Sequence, residues 1–465
     1  MVSLDDTIVA ISTPLGEGGI GIVRLTGPEA VTILKHLFVT GPSPTAAITK
    51  KASPNLQPRT LHYGHIVEPG TGSIVDEVLA VHMPAPQTYT RQDVIEINGH
   101  GGFVALQRIQ SLCMRQGARL AEPGEFTARA FLNGRLDLAQ AEAVLDVVRA
   151  KTETSLRMAV HQLAGRLSDR VRSTRDRLLD VLAYLEATID FEEDEIPEWD
   201  IGPDLNQASQ ELASLLAGAD QGIIYRQGVR TAITGRPNVG KSSLLNQLLR
   251  TSRAIVTDIP GTTRDTLEET LNLEGIPVVL VDTAGITTQP QDPIECLGIE
   301  RGRAALAQAD LVLLVLDASE PLTDADRAIA ALVGDKPAIV VLNKIDLLDG
   351  QGPLSSPILD ATCVPISALT GQGLEDLEAA IVSTVLSGQV AAAEAPLVTS
   401  PRHKEALSQA LEHVQAAYNG YCDDQLTDLL AIDVTCAVNA LGEITGQTAS
   451  EDLLETIFGN FCVGK

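Results

Sequence analysis

Short apolar runs separated by glycine- and proline-rich connections dominate the first part of the chain, up to about Leu120. Runs of aliphatic and β-branched residues predict strands over Thr7–Ser12, Gly21–Leu25, Val75–His82 and Val94–Ile97. A longer segment, Phe103–Gln116, stops at a glycine and predicts a helix. The mixture indicates an α+β or α/β domain.

Between Leu136 and Ile189 the character changes, because glycine and proline nearly disappear and apolar residues recur at helical spacing. This spacing predicts helical-bundle packing. A further helix is predicted over Leu205–Leu216, and residues 397–465 are helical again after an alanine-rich linker. The acidic run Asp190–Asp200 fits either a metal site or the solvated end of a helix, and the second is the common case.

From Gly228 onward the pattern alternates short apolar strands with helices. The predicted strands are Val229–Thr234, Pro277–Asp282, Leu311–Asp317, Ala338–Asn343 and Thr362–Ile366, and the predicted helices are Ser242–Arg250, Glu295–Ala309, Ala325–Val333 and Leu374–Leu386. Such alternation predicts a parallel sheet with helices on both faces. Thr266–Leu273 alternates polar and apolar residues and predicts an antiparallel edge strand.

The fold class is therefore multidomain α/β, with the α/β module inserted between two halves of a helical domain. We predict an N-terminal domain over 1–120, the helical domain over 121–221 and 387–465, and the inserted module over 222–386. Hydrophobic residues make up 44% of the chain and charged residues 20%, which is enough to bury cores of this kind.

Net charge and cysteine usage limit the ligands and the cellular compartment that we expect for the protein. A net charge of −27 argues against a protein that grips nucleic acid by phosphate neutralisation over its whole surface. The six cysteines are scattered without a CxxC pair, so neither a disulfide framework nor a zinc site is expected. Met1–Ala10 has no basic leader, and no apolar run reaches membrane-spanning length. We expect a cytoplasmic protein that does not enter a membrane.

Candidate chemistry begins at the segment Gly235–Ser242, which matches the phosphate loop GxxxxGK[ST]. It follows a predicted strand and opens a predicted helix, as the motif requires. Backbone N–H groups of such a loop cradle phosphate oxygens. Lys241 is expected to reach the β- and γ-phosphates, and the Ser242 hydroxyl to ligate Mg²⁺.

Further segments indicate that the base is guanine. Asp282–Gly285 resembles the DxxG motif, Asn343–Asp346 matches NKxD, and Ser367–Leu369 matches the last base-contacting loop. Thr263, between the phosphate loop and DxxG, is the expected second protein ligand of Mg²⁺. The residues expected to bind GTP are Asn238, Val239, Gly240, Lys241, Ser242, Ser243, Thr257, Asp258, Ile259, Pro260, Gly261, Thr262, Thr263, Asp282, Thr283, Ala284, Gly285, Asn343, Lys344, Asp346, Ser367 and Ala368.

The hydrolytic residue is less clear from the motifs. Ras-like proteins place a water-orienting glutamine directly after DxxG, where this chain has Ile286. Asp292 and Glu295 are nearby carboxylates, although a helix cap and a first-turn helix carboxylate are alternative roles for them. Asn238 in the phosphate loop either completes a cage for K⁺ or stabilises the loop by hydrogen bonds.

Two other glycine motifs are weaker. The spacing Gly16-x-Gly18-x-x-Gly21 matches a dinucleotide-binding loop, but a predicted strand follows it, so tight turns explain it better. His100-Gly101-Gly102 resembles an esterase oxyanion loop, yet the chain has no GxSxG nucleophile. A small-anion site at the start of the following helix stays open as an alternative.

Segments outside the nucleotide motifs carry a family resemblance. They are Asp6–Ala10, Pro123–Gly134, Leu136–Ala143 and the terminal Phe461–Lys465, which ends in Cys-Val-Gly-Lys. On these segments the whole chain resembles the bacterial and organellar tRNA modification GTPases of the MnmE (TrmE) family.

The resemblance implies a folate-binding N-terminal domain that also forms a homodimer, a discontinuous helical domain, and an inserted Ras-like G domain. It implies formation of 5-carboxymethylaminomethyl or aminomethyl uridine at the tRNA wobble position, together with an FAD-containing partner of the MnmG type in a heterotetramer or larger assembly. The implied donor is 5-formyltetrahydrofolate or a related tetrahydrofolate, and the matching positions are Arg24, Glu96, Arg119 and Lys465.

In the G domain the resemblance implies K⁺ on the Asn238 side chain and on the carbonyls of Thr257, Ile259 and Thr262. It implies Mg²⁺ on Ser242 and Thr263, and a catalytic role for Glu295 alongside Lys241. The segment before Glu295 departs from more acidic family versions by two prolines, Pro290 and Pro293. The acidity of the chain then suggests that the partner supplies much of the tRNA-binding surface.

Two other functions are considered. A ribosome-assembly GTPase of the Era or double-G-domain type shares the nucleotide motifs, but it would need a KH-like domain or a second phosphate loop, and neither is visible in the sequence. A non-catalytic GTP switch that regulates a complex is the third possibility, and GTP turnover would distinguish it.

Overall fold

The structure is a computed structural model that describes residues 4–14, 16–41, 56–191, 196–251, 268–282, 304–348, 358–387 and 397–465. The chain divides into two compact units. We call Met1–Leu145 with Leu441–Lys465 the terminal unit, and residues 146–440 the central unit.

Described strands and helices are numbered in chain order. The strands are β1 (Ile8–Ile11), β2 (Gly21–Thr26), β3 (Phe38–Thr40), β4 (His62–Val67), β5 (Ile74–Met83), β6 (Val94–Gly99), β7 (Arg119–Leu120), β8 (Val229–Thr234), β9 (Glu268–Leu273), β10 (Ile276–Asp282), β11 (Leu311–Asp317), β12 (Ala338–Asn343) and β13 (Thr362–Pro365). The helices are α1 (Ala30–Leu37), α2 (Phe103–Arg115), α3 (Glu125–Leu132), α4 (Leu138–Arg149), α5 (Glu153–Leu163), α6 (Arg166–Asp190), α7 (Gly202–Leu216), α8 (Ala219–Gln227), α9 (Lys241–Thr251), α10 (Asp324–Val333), α11 (Leu374–Val385), α12 (Pro401–Cys422), α13 (Thr427–Thr445) and α14 (Glu451–Gly459).

The terminal unit is built on a seven-stranded sheet in the order β3-β4-β5-β6-β2-β1-β7. Neighbouring strands are antiparallel except β1 and β7, which are parallel. Alternate residues of the central strands point into a core shared with α1 and α2, as Val23, Leu25 and Ile95 show. The opposite face carries a smaller cluster around Ile8, Ala10 and Phe126. The α+β prediction is confirmed, although α1, β3, β4 and β7 were not predicted.

The central unit contains a six-stranded sheet in the order β13-β12-β11-β8-β10-β9. Its strands are parallel except β9, which runs antiparallel to β10 at the edge. This confirms the predicted parallel sheet with one antiparallel edge strand. The largest core cluster of this unit joins β8, β10 and β11 to α9 and α11, and it includes Met158 of α5 and Tyr225 of α8.

Helices make up the rest of the central unit. The helix α7 packs against α12 and α6, so segments that flank the sheet in sequence meet in one bundle. The predicted domain ranges 1–120, 121–221, 222–386 and 387–465 remain a prediction. Among the residues that the structure describes, no helix is both long and apolar enough to cross a membrane.

Candidate nucleotide-binding site

The phosphate loop lies between the end of β8 and the start of α9, at the edge where the parallel strands end. Lys241, the first residue of α9, is 8% exposed and its Nζ donates to the carbonyl oxygens of Gly235 and Arg236, both at 2.8 Å. The side chain therefore folds back over its own loop. Asn238 has a φ of 65° and is exposed at the tip. This is the conformation in which loop amides can face an anion.

Asn343 connects three of the predicted motifs. It ends β12 and is 2% exposed. Its Nδ2 donates to the Val239 carbonyl of the phosphate loop at 2.8 Å, and its Oδ1 accepts from the Ala368 amide at 2.9 Å. A single buried amide side chain thus holds the phosphate loop against the last base-contacting loop.

Asp346, the predicted guanine-reading carboxylate, lies in a short 3₁₀ turn over Ile345–Leu347. Ser367 Oγ donates to its Oδ1 at 2.5 Å, and the Ile345 amide donates to the Ile366 carbonyl at 3.2 Å. The Asp346 side chain is exposed. The hydrogen bond to Oδ1 fixes the orientation of the carboxylate, and the carboxylate can still accept hydrogen bonds from the base.

Two acidic residues at this site were not identified from the sequence. Asp317 ends β11, beside Asn343 in the register of β11 with β12, and its Oδ2 lies 2.6 Å from Lys344 Nζ. Glu320, three residues later, lies 2.5 Å from the phosphate-loop Arg236. Burial alone would raise the pKa of Asp317, but hydrogen bonds from Lys344 and Ser319 outweigh it and lower that pKa. Only the pairing of β11 with β12 identifies Asp317, and that pairing is a property of the folded sheet rather than of the local sequence.

Several predicted residues lie outside the described part of the chain. The register of β10 with β8 places the backbone of Asp282 beside Ile233, next to the phosphate loop. Of the predicted nucleotide, metal and catalytic residues, those outside the described segments are Thr257, Asp258, Ile259, Pro260, Gly261, Thr262, Thr263, Thr283, Ala284, Gly285 and Glu295. Their assignments remain predictions.

The predicted folate residues belong to the terminal unit. Arg24 of β2 and Glu96 of β6 are direct cross-strand partners, and Arg24 Nη2 lies 2.8 Å from Glu96 Oε1. The Arg24 guanidinium is 5.8 Å from the centre of the Phe126 ring, and its Nη1 donates to the Gly464 carbonyl at 3.3 Å. The structure therefore brings Arg24, Glu96 and the C-terminal tail together on one face of the sheet.

The tail is held by a backbone bridge between Val463 and Pro123. Gly464 has a φ of 97°, and a Cβ there would lie 2.7 Å from the Ile11 carbonyl, so only glycine fits. Burial, together with repulsion from Arg24, lowers the pKa of Lys465. The terminal lysine therefore lies close enough to Arg24 for the two cationic groups to repel each other.

Arg119 shares that face of the sheet, since its partner Ile8 and the Arg24 partner Ala10 are two residues apart on β1. Its guanidinium is already engaged, with Nε donating to Asp6 at 2.8 Å and Nη2 to Glu125 at 2.7 Å. Arg119 is therefore part of an ion-pair network beside the Arg24–Glu96 pair.

A strand, phosphate loop and helix joined to a preorganised guanine motif define the class as a P-loop GTPase. The sequence model of the MnmE helical domain matches residues 138–462, and that of the GTP-binding protein TrmE N-terminus matches residues 7–135. The chain belongs to the MnmE (TrmE) family of tRNA modification GTPases.

Individual relatives agree over nearly the whole length. The chain is 49% identical to the tRNA modification GTPase MnmE of Roseiflexus castenholzii, over 99% of both chains. It is 50% identical to the protein of the same name from Chloroflexus aurantiacus, over 99% of this chain and all of the relative. A solved structure of the G domain of the FeoB iron transporter from T. maritima is 28% identical, with a TM-score of 0.27, and covers 34% of this chain and 98% of that one.

Proposed function

We propose that this chain hydrolyses GTP to drive the formation of a 5-carboxymethylaminomethyl or aminomethyl group on the wobble uridine of tRNA. The observation that carries the GTP half is the Asn343 side chain, which joins the phosphate loop to the base-contacting loop. Family membership supports the tRNA half, because the relatives are named tRNA modification GTPases.

In this proposal each end of the nucleotide has its own set of residues. Lys241 and the amides that open α9 bind the phosphates, and the Ser242 hydroxyl holds Mg²⁺ together with Thr263. Asp346 accepts from guanine N1 and N2, with Ser367 fixing its carboxylate. Mg²⁺ supplies charge neutralisation of the phosphates when bound.

Hydrolysis in this proposal relies on a monovalent cation and a carboxylate rather than on a glutamine. The Asn238 side chain and the carbonyl oxygens of Thr257, Ile259 and Thr262 would hold K⁺, which supplies positive charge near the γ-phosphate. Glu295 orients the attacking water. The exposed position of Asn238 at the loop tip, with its left-handed backbone, supports its part in this role.

This mechanism predicts a strict cation dependence. Replacing K⁺ by Na⁺ at constant ionic strength should depress GTP hydrolysis by at least about tenfold, because a smaller ion does not fit a cage of carbonyl oxygens sized for K⁺. Glu295→Ala should abolish hydrolysis in K⁺ while leaving GDP binding unchanged. Equal rates in the two salts would remove the role given to Asn238, and an active Glu295→Ala enzyme would remove the role given to Glu295.

The terminal unit supplies the one-carbon donor in this proposal. Glu96 and Arg24 suit the donor and acceptor edge of a pterin, and Lys465 suits a glutamate carboxylate of a tetrahydrofolate. Arg119 would bind such a carboxylate in exchange for a bond to Asp6 or Glu125. The cross-strand Arg24–Glu96 pair and the closeness of Lys465 to Arg24 support this assignment. We also propose a homodimer through the N-terminal domain, working in the cytoplasm with an FAD-containing partner of the MnmG type.

Modified-nucleoside analysis tests the proposal directly. Cells that lack this protein should lose the C5 substituent of the wobble uridine, and the wild-type chain should restore it. Arg24→Ala should fail to restore it while hydrolysing GTP at the wild-type rate, because the folate site and the GTP site are separate in the chain. Normal wobble uridines in the deleted cells would contradict the function, and full restoration by Arg24→Ala would contradict the folate site.

A further inference from the structure

The connection between β11 and α10 touches both ends of the nucleotide site. We call residues 317–326 the acidic connection, because four of them are aspartate or glutamate. Asp317 at its start contacts Lys344 of the guanine motif, and Glu320 in its middle contacts Arg236 of the phosphate loop. Neither Asp317 nor Glu320 is itself one of the motif residues expected to bind GTP.

At the base end, Asp317 is the more constrained residue. Its side chain is 4% exposed, and its Oδ1 accepts from the Ser319 amide at 3.0 Å and from Ser319 Oγ at 2.6 Å. The other oxygen, Oδ2, is bound to Lys344 Nζ at 2.6 Å. Both oxygens are thus engaged, and the carboxylate has a single orientation.

Lys344 needs such a partner because its backbone is strained. Its φ is 69°, in the left-handed region that costs a non-glycine residue about 1 kcal/mol. It lies two residues before Asp346, so the backbone at Lys344 sets where the guanine-reading carboxylate points. The charge-assisted bond to Asp317 stabilises the conformation that Asp346 requires.

At the phosphate end, Arg236 forms two ion pairs with residues of the acidic connection. Its Nη2 lies 2.5 Å from Glu320 Oε2, and its Nε lies 3.4 Å from Asp326 Oδ1. Asp326 in turn is the third residue of α10 and closes its capping box, because it accepts from the amide and the hydroxyl of the capping residue Thr323. The start of the phosphate loop is therefore tied to the start of a rigid helix.

We infer that the acidic connection positions the GTP site, with Asp317 acting on the base end through Lys344 and Glu320 acting on the phosphate end through Arg236. This inference rests on the proposed guanine site and adds two positioning residues to it. For Asp317 it also makes a distinction that a general folding defect would not produce, because loss of a base-end residue should weaken GDP binding and spare triphosphate binding.

Calorimetric titration of the full chain with GDP, and phosphorus NMR titration with inorganic triphosphate, separate the two ends. Asp317→Asn should weaken GDP binding by about tenfold, the usual value of a hydrogen bond to a charged group, and leave triphosphate binding within about twofold of wild type. Glu320→Gln should weaken both ligands by the same, smaller factor of about three, since Glu320 is half exposed. Asp335→Asn, an exposed carboxylate of the same unit, is the matched control.

Ser319→Ala is the milder second variant, because it frees Asp317 without leaving Lys344 unpaired. It should reproduce the base-only pattern of Asp317→Asn at a smaller size. Unchanged GDP affinity in both Asp317→Asn and Ser319→Ala, or an equal loss for triphosphate, would overturn the role of Asp317. Unchanged triphosphate affinity in Glu320→Gln would overturn the role of Glu320. Equal affinity of the wild-type chain for GDP and ADP would instead reject the guanine site, and this inference with it.

Discussion

At the scale of single residues, the most constrained charge in the terminal unit is Arg129. The residue is fully buried, and its Nη2 donates to Glu125 at 3.0 Å and also contacts Asp6. Burial alone would raise the pKa of Glu125, but hydrogen bonds from Arg119, the Glu122 amide and Arg129 outweigh it and lower that pKa. A carboxylate that is 1% exposed must therefore stay ionised to balance two arginines.

Glu125→Gln removes that balance and should destabilise the terminal unit by about 3 kcal/mol, because a buried guanidinium loses one of its two counter-charges and keeps only Asp6. Denaturant unfolding measures the loss, and Glu122→Gln, whose side chain is exposed, is the control. The folded-state pKa of Glu125 is depressed, so its contribution is present at neutral pH and is lost on acidification. The gap between wild type and variant should therefore shrink below about pH 4. A gap that is equal at pH 3 and pH 7 would show that charge is not its cause.

In the proposed function, base recognition depends on Asp346. Asp346→Asn exchanges an acceptor for a side chain with an N–H donor, which no longer matches the two donors on guanine. GTP binding should weaken by about a hundredfold, the value of two hydrogen bonds to a charged group. Xanthosine triphosphate, which has an oxygen in place of the 2-amino group, should bind the variant more tightly than GTP does. Competition calorimetry compares the two, and an unchanged preference for GTP would contradict the role of Asp346.

At the scale of elements, the hairpin of β9 and β10 is fixed to the start of α5. Thr152 Oγ1, the capping residue of α5, donates to the Gly275 carbonyl at 2.8 Å, and Lys151 Nζ donates to Thr270 Oγ1 at 3.2 Å. A Cβ at Gly275 would lie 2.5 Å from Thr154 Oγ1. In sequence, the hairpin follows the segment of Thr263 and ends at Asp282, the first residue of the DxxG motif. Its contacts with α5 therefore attach the chain between these two predicted GTP-binding segments to a helix outside the sheet.

Gly275→Ala should break this contact. The φ of 90° disfavours any side chain, and the new methyl group would displace Thr154, so the expected loss of stability is about 2 kcal/mol. Thr154→Gly opens space for the methyl group. Thr154→Ser, which keeps the hydroxyl group, is its control. Thermal unfolding of the double variant Gly275→Ala with Thr154→Gly should recover part of the loss. No recovery would indicate that backbone strain alone accounts for the effect.

The sequence predicted the parts of the fold whose residues carry their own signal. The strands Val229–Thr234, Leu311–Asp317 and Ala338–Asn343 occur with the predicted ends. The last two are continuous apolar runs that end in a polar residue, and the first is rich in β-branched residues and leads into the phosphate loop. The strand β4 was missed because His62, Gly64 and His65 interrupt the apolar pattern, although His65 is buried in the sheet.

The nucleotide site also divides into residues that motifs predicted and residues that they did not. Lys241, Asn343 and Asp346 were predicted from motifs, because phosphate and guanine chemistry require those residue types at fixed spacing. Asp317 was missed because its contact with Lys344 depends on the pairing of β11 with β12, and Glu320 because its contact with Arg236 depends on the pairing of β11 with β8. A residue that acts through a neighbouring strand has no fixed sequence spacing from the residues it contacts, so no motif identifies it. Arg24, Glu96 and Lys465 came from family resemblance alone, and their proximity depends on sheet register and on the packing of the tail.

At the scale of the whole molecule, the net charge of −27 bears on how tRNA is held. A protein that neutralises several phosphates releases as many counterions, so its affinity falls steeply with salt. We therefore expect the partner protein to supply most of the basic surface, and this chain to supply GTP hydrolysis and the folate donor. This division predicts that the chain alone binds tRNA only weakly, with a dissociation constant above about 10 µM at physiological salt.

Electrophoretic mobility shift with the full chain, with the MnmG-type partner, and with both together tests that division. The chain alone should give no discrete shift, and adding it to the partner should leave the salt dependence of tRNA binding close to that of the partner alone. The reason is that the slope against salt counts the phosphates neutralised, and a chain that contacts few of them adds little to that count. Tight binding by this chain alone, with a steep loss between low and physiological salt, would place the tRNA surface on this protein and contradict the argument from its charge.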